Sequence, residues 1–143
     1  MRESISYTPM HALSQGLERG EYSSEEITRS FLDRIAETGP KINAYISVQE
    51  EAALDMARAA DERRRKAENV SPLTGVPIAL KDLLCTRGVQ TTCGSKILRD
   101  YIAPYDATAV ARLREAGAVF LGKTNMDEFA MGSSNETSAY GIV

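Results

Sequence analysis

Two short, unbroken apolar runs constrain this chain most: Val76-Pro77-Ile78-Ala79-Leu80 and Ala118-Val119-Phe120-Leu121. Apolar runs of this length without polar alternation are the pattern of strands covered on both faces, as in parallel sheets flanked by helices. Pro77 is tolerable because it stands near the start of its run. Between the runs, Asp106 is placed to cap a helix carrying Val110 and Leu113, and Gly117 is placed to close it. Strand, helix, strand predicts a parallel crossover unit, so the fold class is α/β.

The residues before Val76 follow a helical period instead. Thr8-Pro9 reads as an N-cap with proline in the first turn, Met10, Leu13 and Leu17 recur at helical spacing, and Gly20 is a stop. Ser23 and Glu26 form a capping box ahead of Ile27, Phe31 and Ile35, and Gly39-Pro40 is expected to end that helix. Ile42, Ala44 and Ile46 alternate as a short strand. Ser47 and Glu50 repeat the capping-box pattern before an alanine-rich helix to about Lys66, with Ala53, Met56, Ala57 and Ala60 on one face. The polar stretch Ala67 to Thr74 reads as a loop. The expected organisation is one domain over 1–143, a helical layer at 1–70 leading into the first strands of a mixed, helix-covered core at 71–143. Two core strands are few for such a sheet, and the apolar end Gly141-Ile142-Val143 implies that more chain follows.

Composition removes several function classes. With 143 residues, 43% hydrophobic and 26% charged, the profile is that of a globular domain. A net charge of −3 supplies no general footprint for a phosphate backbone. The densest basic run, Arg63-Arg64-Arg65-Lys66, falls at a helix end, where cations complement the helix dipole and are expected to be solvated. Cys85 and Cys93 do not make a zinc motif. The start Met1-Arg2-Glu3-Ser4 has the pattern of neither a secretory signal nor a transit peptide, and no segment has the length and apolarity of a membrane span. A reducing cytoplasm is the expected compartment.

Lys81 is the leading candidate for chemistry. It directly follows a buried strand, and functional groups of open α/β sheets gather at the carboxyl ends of strands. A desolvated lysine there favours its neutral amine, which can take a proton from a nucleophile. The bland alternative pairs Lys81 with Asp82 or leaves it in solvent. The single histidine, His11, falls in the first predicted helix, so a Ser-His-Asp triad has no well-placed base. Gly117 to Thr124 matches the P-loop pattern formally, but its middle residues are strand-like and Gly117 ends a helix, which is the wrong context for a phosphate loop. Gly132-Ser133-Ser134-Asn135-Glu136-Thr137-Ser138 is either a pocket lining or an ordinary loop. The adjacent acids Asp127 and Glu128 read better as the first turn of a helix than as an acid/base pair.

Several strings together resemble one family. Gly75-Val76-Pro77-Ile78-Ala79-Leu80-Lys81-Asp82, then Thr91-Thr92-Cys93-Gly94-Ser95, Asp106-Ala107-Thr108, Ala116-Gly117-Ala118-Val119 and Gly122-Lys123-Thr124-Asn125-Met126-Asp127-Glu128-Phe129-Ala130-Met131-Gly132-Ser133-Ser134 are similar, in order, to amidase-signature enzymes. Met126 to Ser138 is especially similar to the glutaminase subunits of tRNA-dependent amidotransferases. The resemblance implies a Ser-Ser-Lys mechanism with Lys81 as the lysine and Met131, Gly132 and Ser133 near the substrate pocket. Both family serines belong to a Gly/Ser-rich stretch beyond Val143, so the isolated chain is expected to be inactive and Ser133 and Ser134 are not assigned as nucleophile. It further implies glutamine as substrate, the B and C subunits of the amidotransferase as partners, tRNA held mainly by the B subunit, no cofactor in this chain, and ATP with magnesium on the partner. Two competing readings are a non-catalytic partner-binding module, distinguished by native chain length, and another small-amide hydrolase, distinguished by substrate choice.

Overall fold

The computed structural model describes residues 5–143. The terminal Met1-Arg2-Glu3-Ser4, read above for targeting signals, lies outside the described residues. The elements run α1 (Met10–Glu18), α2 (Ser24–Ile42), β1 (Tyr45–Val48), α3 (Glu50–Arg65), β2 (Pro77–Lys81), α4 (Thr108–Glu115) and β3 (Val119–Thr124), with 3-10 turns at Lys96–Leu98 and Glu128–Ala130. This is a mixed α/β fold, as expected.

Local chemistry explains most boundaries. After α1, the Gly20 N–H donates to Leu17 O and the Glu21 N–H to Gly16 O, a paired closure that needs the left-handed backbone of Gly20, φ +68°. Gly117, φ +80°, closes α4 in the same way, through Gly117 N to Arg114 O and Ala118 N to Leu113 O. The Ser23/Glu26 capping box forms in both directions, at 3.1 and 2.9 Å. A second acid joins that helix start: Asp61 on α3 accepts the N–H groups of Ser24 and Glu25 at 2.6 and 3.1 Å.

Several expectations fail here. Pro9, not Thr8, holds the N-cap position of α1, and Ile42 belongs to α2, so the strand expected over Ile42, Ala44 and Ile46 is instead Tyr45–Val48. Gly39-Pro40 does not end α2, which continues to Ile42 with Pro40 inside it. The residue before a proline resists helical backbone because its Cβ crowds the ring, and Gly39 has no Cβ. The helix stops at Asn43, φ +54°, whose N–H donates to Gly39 O. The second capping box does not form either. Ser47 lies in β1 opposite Lys123, Gln49 takes the N-cap position with no side-chain cap, and the Gln49 N–H is held by Leu121 O.

The sheet order is β1-β3-β2. β1 runs antiparallel to β3, with Tyr45 opposite Thr124 and Val48 opposite Gly122. A Cβ on Gly122 would lie 2.2 Å from Ser47 O, so only glycine lets the two backbones approach this closely. Hydrogen bonds from Val119 N to Val76 O and from Asp82 N to Thr124 O climb both chains in the same direction, which makes β2 and β3 parallel. β3 is central and buried along its first five residues. β2 is an edge strand: Leu80 is buried while Ala79 and Lys81 are exposed, so the expectation of two covered faces holds for β3 and not for β2.

The chain divides into two compact units, one of Met1–Glu37, Gln49–Ile78 and Leu113–Leu121, the other of Thr38–Val48, Ala79–Arg112 and Gly122–Val143. The first has a core of Leu13, Leu17, Ile27 and Val76, with Ile5, Tyr22 and Phe31 packed on it. Full burial of a side chain such as Ile27, 0% exposed, contributes about 1.5–3 kcal/mol. The basic run of α3 belongs to this unit and is not simply solvated. Arg63 donates to Glu68 O, Asn69 O and Glu115 O, and Arg64 donates to Thr74 O, so both guanidiniums satisfy carbonyls of the neighbouring loops.

Candidate active site

The second unit carries the candidate chemistry. Along β2 the side chains alternate, Leu80 buried, Lys81 exposed, and Asp82, just past the strand, 1% exposed. Lys81 therefore stands at the carboxyl end of its strand, as the sequence predicts, but it faces outward and is exposed instead of desolvated. It lines an open hollow of about 390 Å³ with Asn125, Asp127, Gly132, Ser133 and Asn135 among its neighbours. That volume is within the range of small-molecule sites. Gly132 and Ser133, both candidate pocket residues, are in this lining; Met131 is not, and stands 74% exposed beside them.

The expected alternatives for Lys81 resolve clearly. Asp82 does not pair with it. Asp82 turns inward to Lys123, whose Nζ lies 3.3 Å from Oδ1, both side chains 1% exposed. Lys123 Nζ also donates to Leu84 O at 2.8 Å and to Thr91 Oγ1 at 2.9 Å. The other carboxylate oxygen of Asp82 accepts the Thr92 N–H at 2.9 Å and the Thr92 hydroxyl. The desolvated lysine of this unit is thus Lys123: burial pushes its ammonium below the usual lysine value, and Asp82 opposes that shift. Sequence reasoning met Lys123 only inside the formal P-loop pattern. Its place in β3 removes that reading, because a strand backbone bonded to its neighbours cannot wrap a phosphate.

The loop after β3 is organised by Asp127. Its carboxylate accepts the Asn135 N–H at 2.8 Å, the Thr137 N–H at 3.1 Å and the Thr137 hydroxyl at 2.9 Å. Those hydrogen bonds hold the carboxyl below the usual aspartate range. Glu128 accepts the Ser95 hydroxyl at 2.6 Å. Asp127 and Glu128 are therefore separate structural acceptors and not a paired acid and base. Ser134 donates to Glu136 at 2.6 Å. Elsewhere, His11 is exposed on α1, Cys85 and Cys93 are free thiols, and the described residues include no group of three or more His, Cys, Asp or Glu side chains placed to hold a metal. No helix among them is long and apolar enough to cross a membrane.

A model of the Amidase family matches residues 26–143. The chain belongs to the amidase family. The A subunit of glutamyl-tRNA(Gln) amidotransferase from Azoarcus sp. (strain BH72) is 60% identical over 131 residues, 92% of this chain and 27% of that protein. The A subunit from Methylococcus capsulatus (strain ATCC 33009 / NCIMB 11132 / Bath) is 58% identical over the same shares. Among solved structures, the peptide amidase of Stenotrophomonas maltophilia superposes with a TM-score of 0.84 at 37% identity, covering 94% of this chain and 29% of that one. The A subunit of the Thermotoga maritima glutamyl-tRNA(Gln) amidotransferase gives 0.64 at 39% identity, covering 82% and 23%. This amidase chain therefore spans about a quarter of the length of the relatives it matches.

Proposed function

We propose that these residues are the N-terminal portion of the glutaminase subunit of a tRNA-dependent amidotransferase, and that Lys81 is its proton-accepting base. The observation that carries the reading is the position of Lys81: at a strand end, facing a hollow with Gly132 and Ser133, and free of Asp82 because Lys123 occupies that carboxylate. In this reading the Lys81 amine takes a proton, through a bridging serine, from a nucleophilic serine. That serine adds to the carbonyl of the glutamine side-chain amide, ammonia leaves with a returned proton, and water hydrolyses the acyl-enzyme. Both serines belong to chain beyond residue 143, so residues 1–143 supply a base and part of a pocket but no nucleophile. The ammonia passes to the B subunit, which binds the tRNA and uses ATP and magnesium, with the C subunit completing the cytoplasmic complex. The test is glutamine hydrolysis by the longer protein beside residues 1–143 alone. Activity in the longer protein and none in the 143 residues supports the reading; turnover by the 143 residues sinks it.

One observation favours a second reading. The backbone superposes more closely on the peptide amidase than on the Thermotoga amidotransferase protein, 0.84 against 0.64. A hydrolase of other carboxamides would share Lys81 and the hollow and differ in substrate. Turnover of a peptide amide in preference to glutamine would select it.

A further inference from the structure

Resting on the assignment of Lys81 as the base, we infer that the buried Lys123–Asp82 pair is a positioning device that holds the end of β2 and so aims Lys81 into the hollow.

The argument starts from what such a pair does badly. Removing two charges from water costs several kcal/mol per ion, and apolar residues of similar volume often serve stability as well or better. A fully buried lysine and aspartate, 1% exposed each, therefore need a reason beyond filling space. Their bonds supply one. Asp82, the residue after Lys81, is hydrogen-bonded through its N–H, its carbonyl and one carboxylate oxygen, while the other carboxylate oxygen has no hydrogen bond and meets Lys123 as an ion pair. Its N–H donates to Thr124 O at 3.1 Å, and its carbonyl accepts the Cys93 N–H at 3.2 Å. One carboxylate oxygen takes the backbone and side chain of Thr92; the other faces Lys123. Lys123 in turn ties Leu84 O and Thr91 Oγ1, beyond Asp82 on the same loop. Among the described residues β2 is paired on one edge only, in the order β1-β3-β2. Besides β3, the end of β2 is held by the Leu84 N–H on Lys81 O at 2.9 Å and by this anchor. Lys81 itself is exposed, so its direction depends on the backbone that carries it. Neither Asp82 nor Lys123 lines the hollow, so neither is a catalytic residue; both act through Lys81.

The test uses the complete amidase protein and the neutral, near-isosteric double variant Asp82→Asn/Lys123→Met, which avoids leaving one charge buried alone. The asparagine oxygen can still accept the Thr92 N–H. The expected result is a cooperative melt, a kcat for amide hydrolysis reduced about 10–100-fold, as a displacement near 1 Å produces, and a KM within about twofold of the parent. A purely structural pair would lower the folded fraction and leave kcat per folded molecule unchanged, and that result overturns the proposal. Amide hydrogen exchange of the parent gives a readout that needs neither activity nor a stable variant. The Asp82, Thr92 and Cys93 N–H groups should be among the slowest of residues 79–112. Fast exchange at all three means the strand end is not held, and the proposal fails. A parent that hydrolyses no amide would refute the amidase reading while leaving the exchange result to decide the anchoring.

Discussion

A β-carbon built on Gly132 would lie 2.4 Å from the carboxyl carbon of Asp127. The carboxylate that gathers the loop thus occupies the space any side chain at 132 would need. Gly132→Ala must push Asp127 off Asn135 and Thr137 or displace the loop. Overpacking of this kind costs about 1–3 kcal/mol. A lowered urea midpoint with an unchanged slope is the expected outcome; an unaltered midpoint would mean the loop yields freely.

Asp127 also makes the loop sensitive to acid. Its folded-state carboxyl is held below the ordinary aspartate value by the Asn135 and Thr137 hydrogen bonds. The stabilisation is therefore complete above the unfolded value of about 3.9 and disappears as pH falls through the lower folded value. Melting followed from pH 6 downward should show a decline for the parent that is shallower in Asp127→Asn, which carries no titrating group there. Parallel pH profiles for the two proteins would refute the assignment.

Lys81 is exposed, so Lys81→Ala should shift stability by no more than about 0.5 kcal/mol. In the complete amidase protein the same change should lower amide hydrolysis by about 10²–10⁴-fold, the contribution of a positioned general base. Retained turnover with normal melting would remove Lys81 from the mechanism.

The start of α2 depends on a residue far away in sequence. Asp61 accepts two of the N–H groups that the helix leaves unpaired, those of Ser24 and Glu25. Asp61→Ala should cost about 0.5–2 kcal/mol, the usual range for losing a helix cap. Chemical denaturation measures it, and Asp55→Ala, on an exposed face of the same helix, is the control expected to change little.

What the sequence could and could not reveal divides along physical lines. Signals complete within a few residues were legible: the Ser23/Glu26 box, the glycine closures at Gly20 and Gly117, the apolar run of β3, and Lys81 at the end of β2. Signals that depend on a distant partner were not. Ser47 and Glu50 have the same spacing as Ser23 and Glu26, yet pairing of Ser47 with Lys123 in the sheet overrides local capping. Gly39-Pro40 reads as a stop until the missing Cβ of Gly39 is weighed. The inward turn of Asp82 was hidden for the same reason as the fate of Ser47. Strand alternation does place residue 82 on the face opposite 81, but only the fold reveals that Lys123 waits there.

The opposed surroundings of Lys81 and Lys123 make two chemically identical side chains behave as different substances. One side chain is exposed at the surface; the other is buried against a carboxylate. An acylating reagent that modifies lysines in the folded protein should reach the first readily and reach the second only when the chain opens. The order in which the two are labelled would record the lifetime of the closed sheet.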